Sequence, residues 1–298
     1  MRLAVLGATG FIGRALVPAL AEHGDVVAAS RRGDAVERDG VRAVVADVTD
    51  ATSVRRVLEG VEVAYYLVHS LGSPAYAEVD RRAAATVAGE AGRAGVQQLV
   101  YLGGLGDDRP DLSPHLRSRL ESAVALSSGS VPVTTLRAAV VIGRGSAGFE
   151  TIVALVDRLP AMIAPRWISA PTQPIALGDV IRYLAGVAGN PGAIGETFDV
   201  GGPEVLTYRQ MIERIARLRG RRPLIVEVPV LTPRLSSYWL HLVTPVRAGV
   251  ARPLVEGLRN PTIARDDRIR GLIPFPLTPF DEAARAAFSA EDEVVSEG

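Results

Sequence analysis

The first fourteen residues constrain the fold of this chain more than any other stretch. Leu3–Leu6 form a short apolar run that is typical of a buried parallel strand. Gly7, Gly10 and Gly13 follow it directly, and hydrophobic residues at helical spacing begin at Phe11. The glycines therefore lie where a strand turns into a helix, a place where a pyrophosphate binds to free backbone N–H groups. The pattern predicts a dinucleotide-binding turn, with a purely structural glycine turn as the alternative.

The first half of the chain alternates strand patterns with helical patterns. Further strands are predicted at 25–29, 41–46, 61–68, 98–102 and 133–137, and the clearest helices at 73–93 and 113–127. This alternation predicts an α/β fold with a Rossmann-type, doubly wound parallel sheet covered by helices on both faces. Ligands of such sheets bind at the carboxyl ends of the strands. Pro18 falls inside the first predicted helix and is expected to bend it.

The alternation ends after residue 143. A short helix is predicted at 149–159, another helix at 175–187, a strand at 197–200 and an amphipathic helix at 207–219 with Thr207 as its N-cap. Residues 223–262 are rich in proline and are predicted to form irregular structure. We therefore predict a dinucleotide-binding domain at 1–143, with 175–200 contributing to it. Residues 144–174 and 201–298 are predicted to form a smaller, mixed domain that supplies substrate contacts or a lid.

Composition excludes several classes of function. The formal net charge is zero and no basic stripe is present, which argues against nucleic acid as a partner. Cysteine is absent, and the four histidines form no H-x-x-x-H pair, so no metal site is predicted. No apolar run is long enough for a membrane span and no signal peptide is recognisable, so a cytoplasmic protein with a small-molecule substrate is expected. The oligomeric state is left open.

The residues after the second predicted strand bear on the choice of cofactor. An acidic residue there binds the ribose hydroxyls of NAD, whereas arginine accommodates the 2′-phosphate of NADP. This chain has Ser30, Arg31 and Arg32, with no acid before Asp34. Guanidinium groups pair well with phosphate, so the sequence predicts NADP(H) over NAD(H). A solvated basic turn is the alternative.

Two later positions are predicted to contact the same cofactor. Asp47 and Val48 follow the third strand, where the carboxylate can accept a hydrogen bond from adenine and valine can lie against the ring. An N-cap or turn aspartate is an equally good interpretation of Asp47. Leu67 and Val68 end the fourth strand, where backbone is expected to line the ribose and nicotinamide.

These motifs resemble the atypical short-chain dehydrogenase/reductase superfamily in its extended-like, NmrA-like branch. The resemblance covers nearly the whole chain, and its later motifs are similar to those of a bacterial subgroup of NAD(P)H-binding proteins. The motifs lie at 7–13, 30–32, 47–48, 65–70, 101–105, 115–119, 136–138, 165–167, 173–175 and 238–245. Together with the pattern above, the resemblance implies cofactor contacts at Gly7, Ala8, Thr9, Gly10, Phe11, Ile12, Gly13, Ser30, Arg31, Arg32, Asp47, Val48, Leu67, Val68, His69, Gly103, Arg119 and Arg137.

The chain departs from the enzymes of that superfamily at their reactive pair. Those enzymes carry Tyr-x-x-x-Lys on the helix after the fifth strand, whereas His115 and Arg119 stand at the matching positions here. Arg119 can hold ribose hydroxyls but cannot shuttle a proton. His115 can act as a general acid or base, or it can be a solvent-facing residue near a helix start that Ser113 caps. The usual serine after the fifth strand is matched by Gly103 and Gly104.

Further candidate residues have both a functional and a structural interpretation. His69 and Ser70 can contact substrate or take part in catalysis, or they can cap the next helix. Arg137 can meet an anionic ligand or form a structural ion pair. The remaining substrate-binding candidates are Gly104, Arg166, Trp167 and Gln173, of which Trp167 can equally be ordinary packing. The apolar stretch 231–250 is interpreted as a pocket wall, with membrane-interface contact as the alternative.

Three functions follow from these residues and from the resemblance. The first is an NADP(H)-dependent oxidoreductase that acts on a small, mostly apolar carbonyl, enone or quinone-like substrate. The second is a redox sensor or scaffold that binds NADP(H) without turnover, as the missing Tyr and Lys suggest. The third is a cofactor-bound isomerase or epimerase, for which the sequence contains no specific feature.

Overall fold

A computed structural model describes residues 1–70, 75–106, 112–228 and 260–296. The first half contains β1 (Arg2–Leu6), α1 (Phe11–Ala21), β2 (Asp25–Ser30), β3 (Val41–Val45), α2 (Ala51–Leu58), β4 (Val63–Tyr66), α3 (Tyr76–Ala94), β5 (Gln98–Gly104), α4 (Pro114–Ser127) and β6 (Val133–Ala138). The second half contains β7 (Val141–Ile142), α5 (Ala147–Arg158), β8 (Ala161–Pro165), a 3₁₀ turn (Arg166–Ser169), β9 (Pro171–Thr172), β10 (Ile175–Ala176), α6 (Leu177–Gly186), β11 (Thr197–Val200), β12 (Leu206–Thr207), α7 (Tyr208–Leu218), β13 (Leu224–Val228), α8 (Arg268–Leu272) and α9 (Phe280–Ser296).

The centre of the molecule is a seven-stranded parallel sheet in the order β11-β6-β5-β4-β1-β2-β3. The order reverses between β1 and β4, so the loops after these two strands part and leave a crevice at the carboxyl edge. The predicted Rossmann-type, doubly wound sheet is therefore confirmed. Residues 197–200, predicted as a strand, form its outer strand beside β6.

Both faces of the sheet are apolar because helices cover both. In β1, Leu3 and Val5 belong to a core that includes Leu16 of α1 and Val180 of α6. Leu6, on the other face, packs in a core that α2 and α3 complete. This alternation follows from strand geometry, since successive side chains point to opposite faces. No helix among the described residues combines the length and the hydrophobicity needed to cross a bilayer.

A second layer follows the sheet domain and has a core of its own, built from α5, α7, α9 and the paired strands β8 and β13. The sequence predicts irregular structure at 223–262, which contains β13, whereas β13 pairs with β8 in parallel over five residues. Each strand is too short to show a period of its own, and the partners lie far apart in the chain. The interpretation of 231–250 as a pocket wall falls outside the described residues.

The helix starts agree closely with the sequence-based prediction. Thr207 is confirmed as the N-cap of α7, where its hydroxyl accepts from the Gln210 N–H at 3.1 Å. The Gln210 side chain in turn accepts the Thr207 N–H at 2.8 Å, completing a capping box. The first helix, α1, continues through Pro18 for eleven residues.

Candidate functional site

The glycine loop between β1 and α1 is held against the end of β2. Gly7 has φ +94°, a conformation that side chains disfavour. The N–H groups of Gly7 and Ala8 both donate to the Ala29 carbonyl at 3.1 Å. A Cβ at Gly13 would lie 2.3 Å from the Gly7 oxygen, so α1 can rest on the loop only because this side chain is absent.

The start of α1 is open to a ligand. Gly10 is its N-cap and no side chain caps the helix. The first-turn N–H groups have no acceptor within a helix, and they carry the positive end of its dipole. A Cβ at Gly10 would lie 3.2 Å from the Gly7 oxygen, in the concave side of the loop. These features fit the pyrophosphate of a dinucleotide.

The corner after β2 contains groups of both charges. Arg31 and Arg32 are exposed, as the cofactor prediction requires. The Ser30 hydroxyl donates to Asp34 Oδ1 at 2.8 Å. This hydrogen bond lowers the pKa of Asp34, and the charge of Arg32 adds to the effect. Asp34 is the first acidic residue after β2, and the turn brings its carboxylate to Ser30 at the end of the strand.

Asp47 is engaged in a turn of its own. Its Oδ1 accepts the Thr49 N–H at 2.8 Å and the Thr49 hydroxyl at 2.7 Å. These hydrogen bonds lower the pKa of Asp47. Asp50 is the N-cap of α2, and Val48 is buried in the core beneath it. The arrangement corresponds to the turn interpretation of Asp47, and Val48 has little surface left for a ligand.

A cavity of about 440 Å³ opens beside the glycine loop at the carboxyl edge of the sheet. Its walls come from both layers of the molecule and are mainly apolar side chains and backbone. The lining residues are Gly10–Gly13, Leu67, His69, Leu102–Leu105, His115, Leu116, Arg119, Ala138–Val141, Gly145–Gly148, Tyr208 and Thr262. The structure thus brings the predicted loop, the residues just after β4, the two glycines that end β5 and the start of α4 to one site.

His69 and His115 are half-buried in the wall of this cavity, and the buried Asp80 lies behind them. Asp80 Oδ2 lies 2.6 Å from His69 Nδ1, and His69 Nε2 lies 3.3 Å from His115 Nδ1. Asp80 is 1% exposed and also accepts the Ser70 N–H at 3.0 Å. Sequence reasoning missed Asp80, because an acid in the first turns of an amphipathic helix usually faces solvent.

Both imidazoles are neutral at pH 7. Burial, together with smaller effects of the nearby His69 and Arg119, lowers the pKa of His115 to about 3. Burial also lowers the pKa of His69, against the opposing effect of its hydrogen bond to Asp80. His115 therefore presents an uncharged ring to the cavity.

Arg119 lines the cavity, but part of its guanidinium is already bound to strand β5. Its guanidinium donates to the Leu102 carbonyl and lies 4.9 Å from the centre of the Tyr101 ring. The Tyr101 hydroxyl in turn donates to the Arg119 carbonyl at 3.0 Å. Arginine has five N–H donors, so others remain for a ligand.

Two predicted site residues, Arg137 and Gln173, lie apart from the residues that line the cavity. Arg137 pairs with Asp199 at 2.6 Å, the structural alternative that the sequence left open. Gln173 is buried, donates to the Gly202 carbonyl at 2.8 Å and accepts the Ala264 N–H at 3.0 Å, so its amide joins two loops. Arg166 and Trp167 lie in the 3₁₀ turn that follows β8.

Comparison with known proteins agrees with this geometry. Residues 7–138 match the family described as NAD(P)H-binding. The (4-alkanoyl-5-oxo-2,5-dihydrofuran-3-yl)methyl phosphate reductase of Streptomyces griseus is 27% identical over 220 residues, which cover 73% of each chain. The chloroplastic divinyl chlorophyllide a 8-vinyl-reductase of Oryza sativa is 27% identical over 269 residues, covering 83% of this chain and 65% of the rice enzyme.

Solved structures share the fold over the full length. The NADPH-dependent quinone oxidoreductase of Escherichia coli has a TM-score of 0.77 at 20% identity and covers 96% of this chain and 99% of its own. A nucleoside-diphosphate-sugar epimerase of Staphylococcus aureus has a TM-score of 0.76 at 16% identity, with 95% and 100% covered. Residues 7–138 are therefore similar to a family described as NAD(P)H-binding, and the curated proteins that this chain resembles include reductases.

Proposed function

We propose that this protein is an NADP(H)-dependent reductase of a small, mostly apolar molecule whose reducible bond is conjugated to an oxygen, such as an enone or a quinone. The observation that carries the proposal is the position of His115. Its ring lines an apolar cavity that the glycine loop also lines, so a proton-transferring group and the expected cofactor site share one space. When bound, reduced nicotinamide supplies the hydride.

The relatives support the choice of substrate class. The Streptomyces relative is named as the reductase of an oxo-dihydrofuran phosphate and the rice relative as an 8-vinyl-reductase, so both names specify a substrate with a carbon–carbon double bond. The quinone oxidoreductase that shares the fold is named for a conjugated dicarbonyl. An apolar cavity of about 440 Å³ suits a molecule of this kind.

The preference for NADP(H) is supported by the corner after β2. Arg31 and Arg32 are exposed there and can pair with a 2′-phosphate. Calorimetric titration should show tighter binding of NADPH than of NADH. The double variant Arg31→Ala/Arg32→Ala should lose that difference, whereas Arg42→Ala, which removes an exposed arginine of β3, should keep it. Equal affinity of the unaltered protein for both nucleotides would refute the assignment.

The reductase activity is tested by NADPH oxidation with 2-cyclohexenone, menadione and benzaldehyde as probes. We expect turnover with the first two, and a lower rate in His115→Ala. His23→Ala, which removes an exposed histidine between α1 and β2, is the matched control and should leave the rate unchanged. A rate that is the same in His115→Ala would remove this residue from the reaction.

A second candidate is an NADP(H)-binding sensor without turnover, in line with the NmrA-like resemblance. The specific observation in its favour is Arg119, whose guanidinium donates to the Leu102 carbonyl instead of standing free where the reductases of that superfamily place lysine. Tight NADPH binding with no oxidation by any probe would favour the sensor.

A further inference from the structure

We propose that Asp80, His69 and His115 form a proton relay, in which Asp80 is a positioning residue that sets the tautomers of both imidazoles. Neither the sequence motifs nor the relatives assign a role to Asp80. The inference deepens the proposed reductase function and rests on it, because the relay ends at the cavity in which the substrate is expected.

The buried carboxylate determines where the hydrogen of His69 lies. Asp80 is 1% exposed, and its Oδ1 accepts the Ser70 backbone N–H at 3.0 Å. Its Oδ2 faces His69 Nδ1 at 2.6 Å, a distance at which two acceptors would repel each other. A buried carboxylate needs donors, so His69 carries its hydrogen on Nδ1 and donates it to Asp80.

The tautomer of His69 then determines that of His115. A neutral imidazole has one N–H, so Nε2 of His69 is an acceptor. It lies 3.3 Å from His115 Nδ1, which must therefore donate. His115 Nε2 is left with a lone pair. In this resting state His115 Nε2 can accept a hydrogen bond from a donor in the cavity, but it has no proton to give.

Adding one proton to the two histidines reverses the direction of the hydrogen bond between them. The charge is best placed on His69, because the Asp80 carboxylate is its direct partner. The His69 imidazolium then donates from Nδ1 to Asp80 and from Nε2 to His115 Nδ1. His115 must consequently hold its hydrogen on Nε2, and the loaded relay has a donor where the resting relay has an acceptor.

The loaded relay completes a reduction with balanced protons. The oxygen of the substrate gains negative charge as the carbon conjugated to it takes up the hydride. The proton on His115 Nε2 passes to this oxygen, so an O–H bond forms and an N–H bond breaks. At the same time the proton on His69 Nε2 moves to His115 Nδ1. Both rings end neutral, and one proton from solvent returns the relay to its loaded state.

The surrounding charges set the pH at which the relay loads. The titratable or charged side chains packed around the two rings, among the described residues, are Tyr66, Tyr76, Asp80, Tyr101 and Arg119. Burial and Arg119 lower the pKa of His69, while Asp80 raises it, and the net effect is a pKa below the ordinary value of 6.5. Because the loaded fraction grows as pH falls below 6.5, the rate of reduction should rise in that direction.

Nitrogen-15 NMR of the histidine rings tests the relay without substrate or cofactor. At pH 8 we expect both His69 and His115 as Nδ1–H tautomers. On acidification, His69 should gain the proton first while His115 changes to the Nε2–H tautomer. A neutral His69 with its hydrogen on Nε2, or protonation of His115 before His69, would overturn the proposal. This spectrum of the unaltered protein decides the matter even if a variant fails to fold.

Asp80→Asn is the corresponding variant. The Asn oxygen should keep the Ser70 N–H, which turns the amide NH₂ toward His69 Nδ1 and forces the hydrogen of His69 to Nε2. We expect kcat to fall by about tenfold or more, since a positioned acid is lost, while the NADPH Kd stays unchanged. The rise in rate below pH 6.5 should move to lower pH.

Glu90→Gln is the matched control for this variant. Glu90 is on the same helix, is also 1% exposed, and pairs with Arg55 and Arg93 away from the cavity. It should lose stability without altering either tautomer. Absence of NADPH oxidation in the unaltered protein would refute the reductase but not the tautomer prediction. Normal tautomers and normal kcat in Asp80→Asn would refute the relay but not the reductase.

Discussion

Replacing Gly13 by alanine tests how closely α1 must rest on the glycine loop. The added Cβ would lie 2.3 Å from the Gly7 oxygen and 2.8 Å from Ala8 Cα, and both atoms belong to backbone. Ordinary contact begins at 3.4 Å, so α1 has to move by about 1 Å. Such overpacking costs about 1–3 kcal/mol, against about 1 kcal/mol gained from alanine in a helix. The free energy of unfolding should therefore fall by up to about 2 kcal/mol.

The same displacement should weaken binding of the cofactor. Moving the start of α1 lengthens the hydrogen bonds from its first-turn N–H groups to a phosphate, each worth about 1.5–3 kcal/mol. Losing half of one such bond raises the Kd about three- to tenfold. Calorimetric titration with NADPH measures this change, and urea unfolding of the free protein measures the stability loss separately.

Gly89→Ala supplies the matched control. Gly89 lies within α3, and a Cβ there would meet nothing within 4 Å. This variant should gain about 1 kcal/mol in stability and bind NADPH as the unaltered protein does. If folded Gly13→Ala bound NADPH with unchanged Kd, the close packing of α1 would have no part in nucleotide binding, and the reasoning from the loop geometry would be wrong.

Three further perturbations have defined outcomes. Asp34→Asn removes a carboxylate beside Ser30, so paired titrations should show tighter NADPH binding with NADH binding no tighter. Asp199→Ala leaves Arg137, which is about one third exposed, without its partner at 2.6 Å, and urea unfolding should show a loss of about 1–3 kcal/mol. Between pH 6.5 and its native pKa of about 3, His115 alone should lower the free energy of unfolding by up to about 1.4 kcal/mol per pH unit, because its imidazole takes up a proton in the unfolded chain but not in the native state. His115→Asn should show a shallower slope over that range, and an unchanged slope would contradict the assignment.

Most of the fold could be predicted because its signals are local. A buried parallel strand is a continuous apolar run, and glycine or a capping residue marks where helices begin, as at Gly10 and Thr207. The pairing of β8 with β13 could not be predicted. It depends on two five-residue segments meeting in the folded chain, and neither has a pattern that identifies its partner.

The site divides in the same way. The glycine loop and the spacing of His115 from Arg119 are readable from neighbouring residues. Asp34 and Asp80 act through chain segments that fold back onto them, so no spacing in the sequence indicates their partners. Gln173 shows the opposite case, because a polar residue expected at a ligand site instead joins two loops in the interior.

The outer strand β11 also limits where the chain can be truncated. Its residues, Thr197–Val200, follow β6 only after a long excursion of the chain through the second layer. A fragment that stopped near residue 143 would keep the pairing of β6 with β5 but leave the other edge of β6 unpaired, and such an open edge recruits strands from other molecules. Fusion or truncation work on the nucleotide-binding half should therefore retain the chain through residue 200, or expect insoluble material.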